Sequence, residues 1–426
     1  MKITSQQEEL LQTDGSYYDL VKKNRDFRFL WFGQIISLLG DWFNLIAAAT
    51  LVAELTGSGT AIGGLFVVRM LAPFIVSPLA GVVTDRVNRK YILVTADLLR
   101  SVTVLGFLFI RDPGDIWLLY TLTFIQLGIS GFFFPSRNAI LPDIVSGKNI
   151  GAANALSAAT WSVMLALGAA LGGIASGTWG VYTAFMIDSA TFLLSALLLT
   201  QINYKLVITK EAFTKTIRNS VHQYIDGLNY LVKHIDIFFI ALNKAAITLF
   251  SFGGFQVIQV RISEKIFVIG EGGSTSLGLM FAIAGVGTGL GPIIVRRYVG
   301  DRQDALRKAI TAGYVLILIG MLIITPLSNF GSVLTGIMIR GIGGGIVWVF
   351  STQLLLQLLP NRYRGRVFST EFALFTLMSA FGAGAIGRIM DIVPDLTSLI
   401  FAMTVLGLIP TLFWGGWTFF KDRSKG

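Results

Sequence analysis

The chain is 426 residues long, 54% hydrophobic and only 14% charged, with a formal net charge of +10. Soluble domains carry about 25% charged residues, so a soluble globule is excluded. With no cysteine, a disulfide framework, a thiolate metal site and a thiol nucleophile are excluded too, and the only two histidines, His222 and His234, lie in a polar segment. No metal and no cofactor are expected.

The first 25 residues are polar and lack the apolar core of a signal peptide, so the amino terminus is expected to stay cytoplasmic. A membrane-crossing helix needs about 20 apolar residues. Apolar runs place twelve such spans at 27–54, 60–82, 91–110, 115–136, 151–176, 181–203, 237–262, 275–296, 308–326, 331–357, 367–390 and 396–419. With the amino terminus inside, 26 of the 34 Lys and Arg residues fall on the cytoplasmic side. This bias puts both chain ends in the cytoplasm and makes the basic charge topological. No nucleic-acid partner is expected.

Between spans six and seven, residues 204–236 form the longest polar stretch. Phe213, Ile217, Val221, Leu228, Leu231 and Val232 recur there at helical spacing, which predicts an amphipathic helix on the inner membrane surface. This linker separates two six-span halves, 27–203 and 237–419, flanked by cytoplasmic segments 1–26 and 420–426. The halves repeat. Leu141-Pro142, Gly147 and Ala155-Leu156 return 218 residues later as Leu359-Pro360, Gly365 and Ala373-Leu374, and Asp85-Arg86 returns 216 residues later as Asp301-Arg302. A parallel six-span repeat predicts an all-α membrane protein of two pseudo-symmetric six-helix bundles with a cavity between them.

Ionisable groups within spans are costly and usually face a cavity or one another. Asp41 lies halfway along span one and is the leading acid for proton coupling or substrate contact, with Arg69 in span two as its expected neutralising partner. Asp97 and Arg100 stand three residues apart on one face of span three, within reach of a local ion pair, and Asp97 is alternatively placed to brace the Asp85 loop. Asp188, Lys244, Arg340 and Glu371 complete the set. The glycine runs 285–291 and 341–345 sit inside apolar spans and read as close helix packing, not as nucleotide loops.

Gly81-Val-Val-Thr-Asp85-Arg86-Val-Asn-Arg89-Lys90 resembles the loop signature of the major facilitator superfamily. Arg25-Asp-Phe-Arg-Phe-Leu-Trp, Ser37-Leu-Leu-Gly-Asp41-Trp42, Asp97-Leu-Leu-Arg100, Pro135-Ser-Arg137-Asn-Ala-Ile-Leu-Pro142-Asp143 and Gly365-Arg-Val-Phe368 resemble its branch of macrolide-efflux and enterobactin (siderophore) exporters. The resemblance implies the major facilitator fold in the plasma membrane. It also implies an inner-gate loop set of Gly81, Asp85, Arg86, Arg89, Lys90, Arg137, Asp301 and Arg302. Two features depart from the antiporter pattern. Span four has no arginine in its membrane part, leaving Arg137 at its inner end, and Ala169 stands where the drug-antiporter signature has proline.

Taken together, these readings predict a secondary active exporter of a hydrophobic or amphipathic small molecule, with protons as coupling ion and membrane lipid as surroundings, and no enzyme. A lysophospholipid carrier without strict proton coupling is the alternative. A membrane-embedded lipid enzyme is disfavoured, because the buried charges are scattered over at least six spans.

Overall fold

The computed structural model describes residues 17–146, 149–204 and 216–423, and among these the chain is helical with no strand. Twelve helices are long and apolar enough to cross a membrane. We label them α1 to α12: Arg25–Thr56, Gly59–Arg86, Arg89–Phe109, Pro113–Ile144, Ile150–Trp179, Val181–Thr200, Ile235–Lys265, Ser274–Val299, Gln303–Ile324, Phe330–Leu358, Asn361–Ile392 and Leu396–Lys421. The chain is a multi-pass membrane protein. Each observed helix overlaps one predicted span and most run a few residues beyond it, because polar residues at the ends cap the backbone. Asn24 accepts the Phe27 amide at 2.9 Å, and Asn329 accepts that of Ser332 at 2.8 Å.

Helix pairing repeats between the halves. In the first, α1 packs on α5 and α6, α2 on α4, and α3 on α4 and α6. In the second, α7 packs on α11, α8 on α10, and α9 on α10 and α12. The two bundles meet through α2 against α11 and α5 against α8. Exchanging the halves turns each of these contacts into the other, as a two-fold axis between parallel repeats requires.

One repeat anchor is not structurally equivalent. Pro142 lies inside the last turn of α4, whereas Leu359-Pro360 forms the turn between α10 and α11. The α4–α5 connection is correspondingly longer.

The bundles are closed at the end opposite the chain termini. At Gly173 of α5 a Cβ would stand 2.7 Å from the Gly278 Cα of α8, and at Gly63 of α2 one would stand 2.6 Å from the Ala383 carbonyl of α11. Only glycine permits such backbone approach. Asp391, at the end of α11, seals the same face. Its carboxylate accepts the backbone amides of Gly59 and Thr60 at 2.5 and 2.9 Å and the hydroxyls of Ser58 and Thr60 at 3.0 and 2.6 Å, so it caps the first turn of α2 in the other bundle. Arg261 adds a bond to the Gly57 carbonyl at 2.6 Å.

The linker helix, Thr216–Lys233, docks on α11 at the terminus-bearing end. Leu231 is buried, Tyr230 stacks on Tyr363 at 4.2 Å, and Asp226 pairs with Arg366 at 3.0 Å. Leu228 and Val232 remain exposed. Phe213 lies outside the described residues, as do the side chains of Ile217 and Val221.

Candidate functional site

A cavity of about 460 Å³ lies between the bundles, lined from both sides. From the first bundle come Asp41, Trp42, Arg69, Phe134 and Trp161, and from the second Phe252, Gln256, Gln259, Phe281, Arg340 and Trp348. The closed end roofs it, where Trp42 meets Phe281 across the bundles with centroids 6.0 Å apart. A second cavity of similar volume shares Leu38, Asp41, Phe134 and Trp161 with it and runs past Arg137, Asn138 and Asn154 toward the end that carries the termini. The two form one path. Trp161 belongs to both walls and is still 51% exposed, so the path is open at that end.

Asp41 stands where the two volumes join. Two glycines make that position possible: Gly40 lets α6 approach α1 at Asp188, and Gly172 lets α5 pack on the backbone of Trp42 and Phe43. Asp41 Oδ1 accepts Arg100 Nη2 at 2.5 Å. Arg100 also donates from Nη1 to Asp97 at 3.2 Å and to Ser37 at 3.1 Å, and its guanidinium lies 3.9 Å over the Phe192 ring. Ser195 donates to the other Asp97 oxygen at 2.5 Å. Three helices thereby converge on one buried arginine.

The Asp97–Arg100 pair expected from spacing is present, and Asp97 accepts Arg100 on one oxygen and Ser195 on the other, while the side chain of Asp85, whose loop it is alternatively placed to brace, lies outside the described residues. Asp41 is bound by Arg100 rather than by Arg69. Arg69 lines the central cavity from α2, with Asp41 and Asp188 as the acids whose field reaches it. Asp188 is fully buried behind Gly40, and neither of its carboxylate oxygens has a hydrogen-bond partner.

The second bundle is arranged differently. Lys244 of α7 and Glu371 of α11 pair at 3.0 Å, with the ammonium 4.6 Å over the Trp348 ring, and the pair sits behind that tryptophan, outside the cavity wall. Arg340 of α10 does reach the wall. Its guanidinium lies 4.0 Å from Phe252 and 4.3 Å from Phe255, and its Nε and Nη1 are buried without a partner. The helix that carries these rings changes pitch here, through a π turn at Thr248–Phe252 followed by Gly253 and Gly254, which lie against α11. Single π turns often mark functional positions.

The Major Facilitator Superfamily model matches residues 30–383, most of the chain. The chain belongs to the Major Facilitator Superfamily. It is 26% identical over 388 residues to the MFS-type transporter YfiS of Bacillus subtilis, covering 87% of this chain and 88% of that one. It is 28% identical to a protein named as the bacilysin exporter BacE of Bacillus amyloliquefaciens, over 47% of this chain and 49% of BacE, and 25% identical to macrolide efflux protein A of Streptococcus pyogenes, over 38% and 40%. The structure superposes on the nucleoside transporter NupG with a TM-score of 0.73 at 12% identity, covering 94% of this chain and 99% of that one, which establishes the fold. The chain is a transporter of the major facilitator type, with efflux proteins among its relatives.

Within this superfamily member, the loops expected to form the inner gate lie at the open end, and the contacts described for Arg89, Asp143 and Asp301 stay within one bundle each. Arg89 donates to Asp143 at 2.5 Å and to the Ala139 carbonyl at 3.0 Å, joining the α2–α3 turn to the end of α4. Tyr204 donates to the same Asp143 at 3.0 Å, and burial with this contact holds its hydroxyl pKa above the ordinary tyrosine value. In the second bundle, Asp301 accepts Gln353 at 2.7 Å and pairs with Arg296 at 3.2 Å, while its carbonyl accepts Gln357 at 3.0 Å. Arg302 is the N-cap residue of α9, Arg86 is exposed, and the Lys90 amide bonds to Asn88. The surroundings of Gly81 and Asp85 lie outside what is described. Arg137 faces the open path and donates to Asn138 and Ser157.

Sequence reasoning missed Asp391 and Gln259. Asp391 looks like an ordinary loop acid until α2 is placed beside it. Gln259 is one of several amides in apolar spans, and nothing in its spacing marks it.

Proposed function

We propose that this transporter exports a hydrophobic or amphipathic small molecule by alternating access in exchange for protons. It would reside in the plasma membrane, with both termini in the cytoplasm. The observation that carries this reading is the place of Asp41, which sits at the junction of the central cavity with its open path and shares one arginine with Asp97. A proton on Asp41 would release Arg100 from it, leaving Asp97 as the arginine's one carboxylate partner with the Ser37 hydroxyl beside it. That exchange alters the contact between α1 and α3, which gives proton binding a mechanical consequence within the first bundle.

The positive-inside bias makes the open end cytoplasmic, so the cavity would load cargo from the cytoplasm while the Asp391 seal keeps the outer face shut. The aromatic and aliphatic wall suits an apolar body, and the names of BacE and macrolide efflux protein A agree with export. Arg100 and Arg69 supply the membrane-embedded cations that span four lacks.

The test is efflux of dansyl-phenylalanine from reconstituted vesicles under an imposed inward-directed proton gradient. Gradient-accelerated efflux is the expected result. Efflux that ignores the gradient contradicts antiport and makes lysophospholipid the next cargo to assay in the same vesicles.

A further inference from the structure

The charges on the central cavity wall do not balance. Among the described lining residues there are two cations, Arg69 and Arg340, and one acid, Asp41, whose carboxylate is already held by Arg100. Arg69 lies in the field of Asp41 and Asp188. Among the described residues Arg340 forms no ion pair with an acid, and it is only 2% exposed.

A guanidinium in that position is costly unless something compensates it. Phe252 and Phe255 cover its faces, which leaves its in-plane donors to find acceptors. Nearby on the cavity wall, one turn beyond Phe255 on α7, Gln259 is 1% exposed and its Nε2 donor likewise has no partner. Unpaired buried donors from two helices are what a planar anion would satisfy.

We propose that the cargo carries a carboxylate or a comparable planar acidic group, which docks on Arg340 with Gln259 as second donor while its apolar body lies against Phe252, Phe281 and Trp348. This assignment rests on the central cavity being the cargo site. It narrows the cargo class to amphipathic acids, zwitterions included, and it explains why the second bundle keeps a cation without a counter-ion.

The test compares dansyl-phenylalanine with its methyl ester, the same body without the negative charge, by saturable energy transfer from protein tryptophans in nanodiscs holding the full chain. Trp42, Trp161 and Trp348 line the cavity and are the donors nearest a bound dansyl group. In Arg340→Gln the acid is expected to bind roughly tenfold to a hundredfold more weakly, as loss of a charge-assisted hydrogen bond dictates, with the ester within about twofold of wild type on the same grounds. Arg340→Lys keeps the charge without the fork and should recover part of the loss. Melting of Arg340→Gln no earlier than wild type is the accompanying expectation, since no acid is orphaned. Equal effects on acid and ester, or none, overturn the assignment. Met164→Trp narrows the cavity by bulk alone. If saturable binding of both compounds survives it unchanged, the cavity is not the cargo site, and that failure is distinct from failure at Arg340.

Discussion

The two bundles share one pairing scheme and spend their buried charge in opposite ways. In the first, Arg100 binds Asp41 and Asp97 at once, so α1 and α3 are joined through a single guanidinium. In the second, Lys244 and Glu371 form a closed pair away from the cavity, and Arg340 reaches the wall with aromatic rings for neighbours and, among the described residues, no acid paired to it. A repeat can keep its packing and still divide the work. On the proposed reading, the first bundle holds the charge network that responds to a proton, and the second holds the donor that meets the cargo's acceptor.

The sharpest way to break this comparison is to remove the two arginines in turn. Arg100→Gln strands Asp41 and Asp97 and should cost about 3 to 5 kcal/mol of stability, with transport lost. Arg340→Gln strands nothing and should leave the melting temperature unchanged or higher. Equal destabilisation in the two variants, read by thermal melting of the purified proteins, contradicts the asymmetry.

A smaller effect is expected at the seam between the bundles, where both contribute alike. Gly173→Leu overfills only the outer-closed state, at about 1 to 3 kcal/mol, and should shift the population toward the outward-open form. Asp391→Asn keeps the shape of the cap while removing its charge, and a shift of roughly 0.3 to 1 kcal/mol in the same direction follows. Because the chain has no cysteine, a single cysteine introduced on the outer half of α8 reports both shifts by its labelling rate. Labelling faster in Gly173→Leu than in Asp391→Asn, and faster in both than in the parent, is the expected order. Unchanged labelling in both contradicts the seam.

Much of this architecture is legible in the sequence, and the reason is energetic. Apolar runs of sufficient length, lysines and arginines held to one side, and the recurrence of Asp85-Arg86 at Asp301-Arg302 each follow from the cost of charge and bare backbone in lipid. The depth of Asp41, Arg100 and Arg340 is legible for the same reason. Their partners are not. Spans that are apolar on every face give no rotation, so Arg69 is the expected partner for Asp41 on paper, and only the placed helices bring Arg100 to it, against the Phe192 ring and the Ser37 hydroxyl. Gly173 and Gly278 are visible as small residues, but their meeting across the bundles depends on both helices being placed. Asp391 fails to stand out because its hydrogen-bond partners lie more than 300 residues away in sequence.

The measurement that bears most directly on the central claim compares wild type with Asp41→Asn in two modes, proton-gradient-driven efflux and gradient-free counterflow of labelled against unlabelled dansyl-phenylalanine. If the Asp41–Arg100 exchange couples protons to cargo, the variant loses the gradient's acceleration and keeps counterflow. A variant that still responds fully to the gradient contradicts the claim.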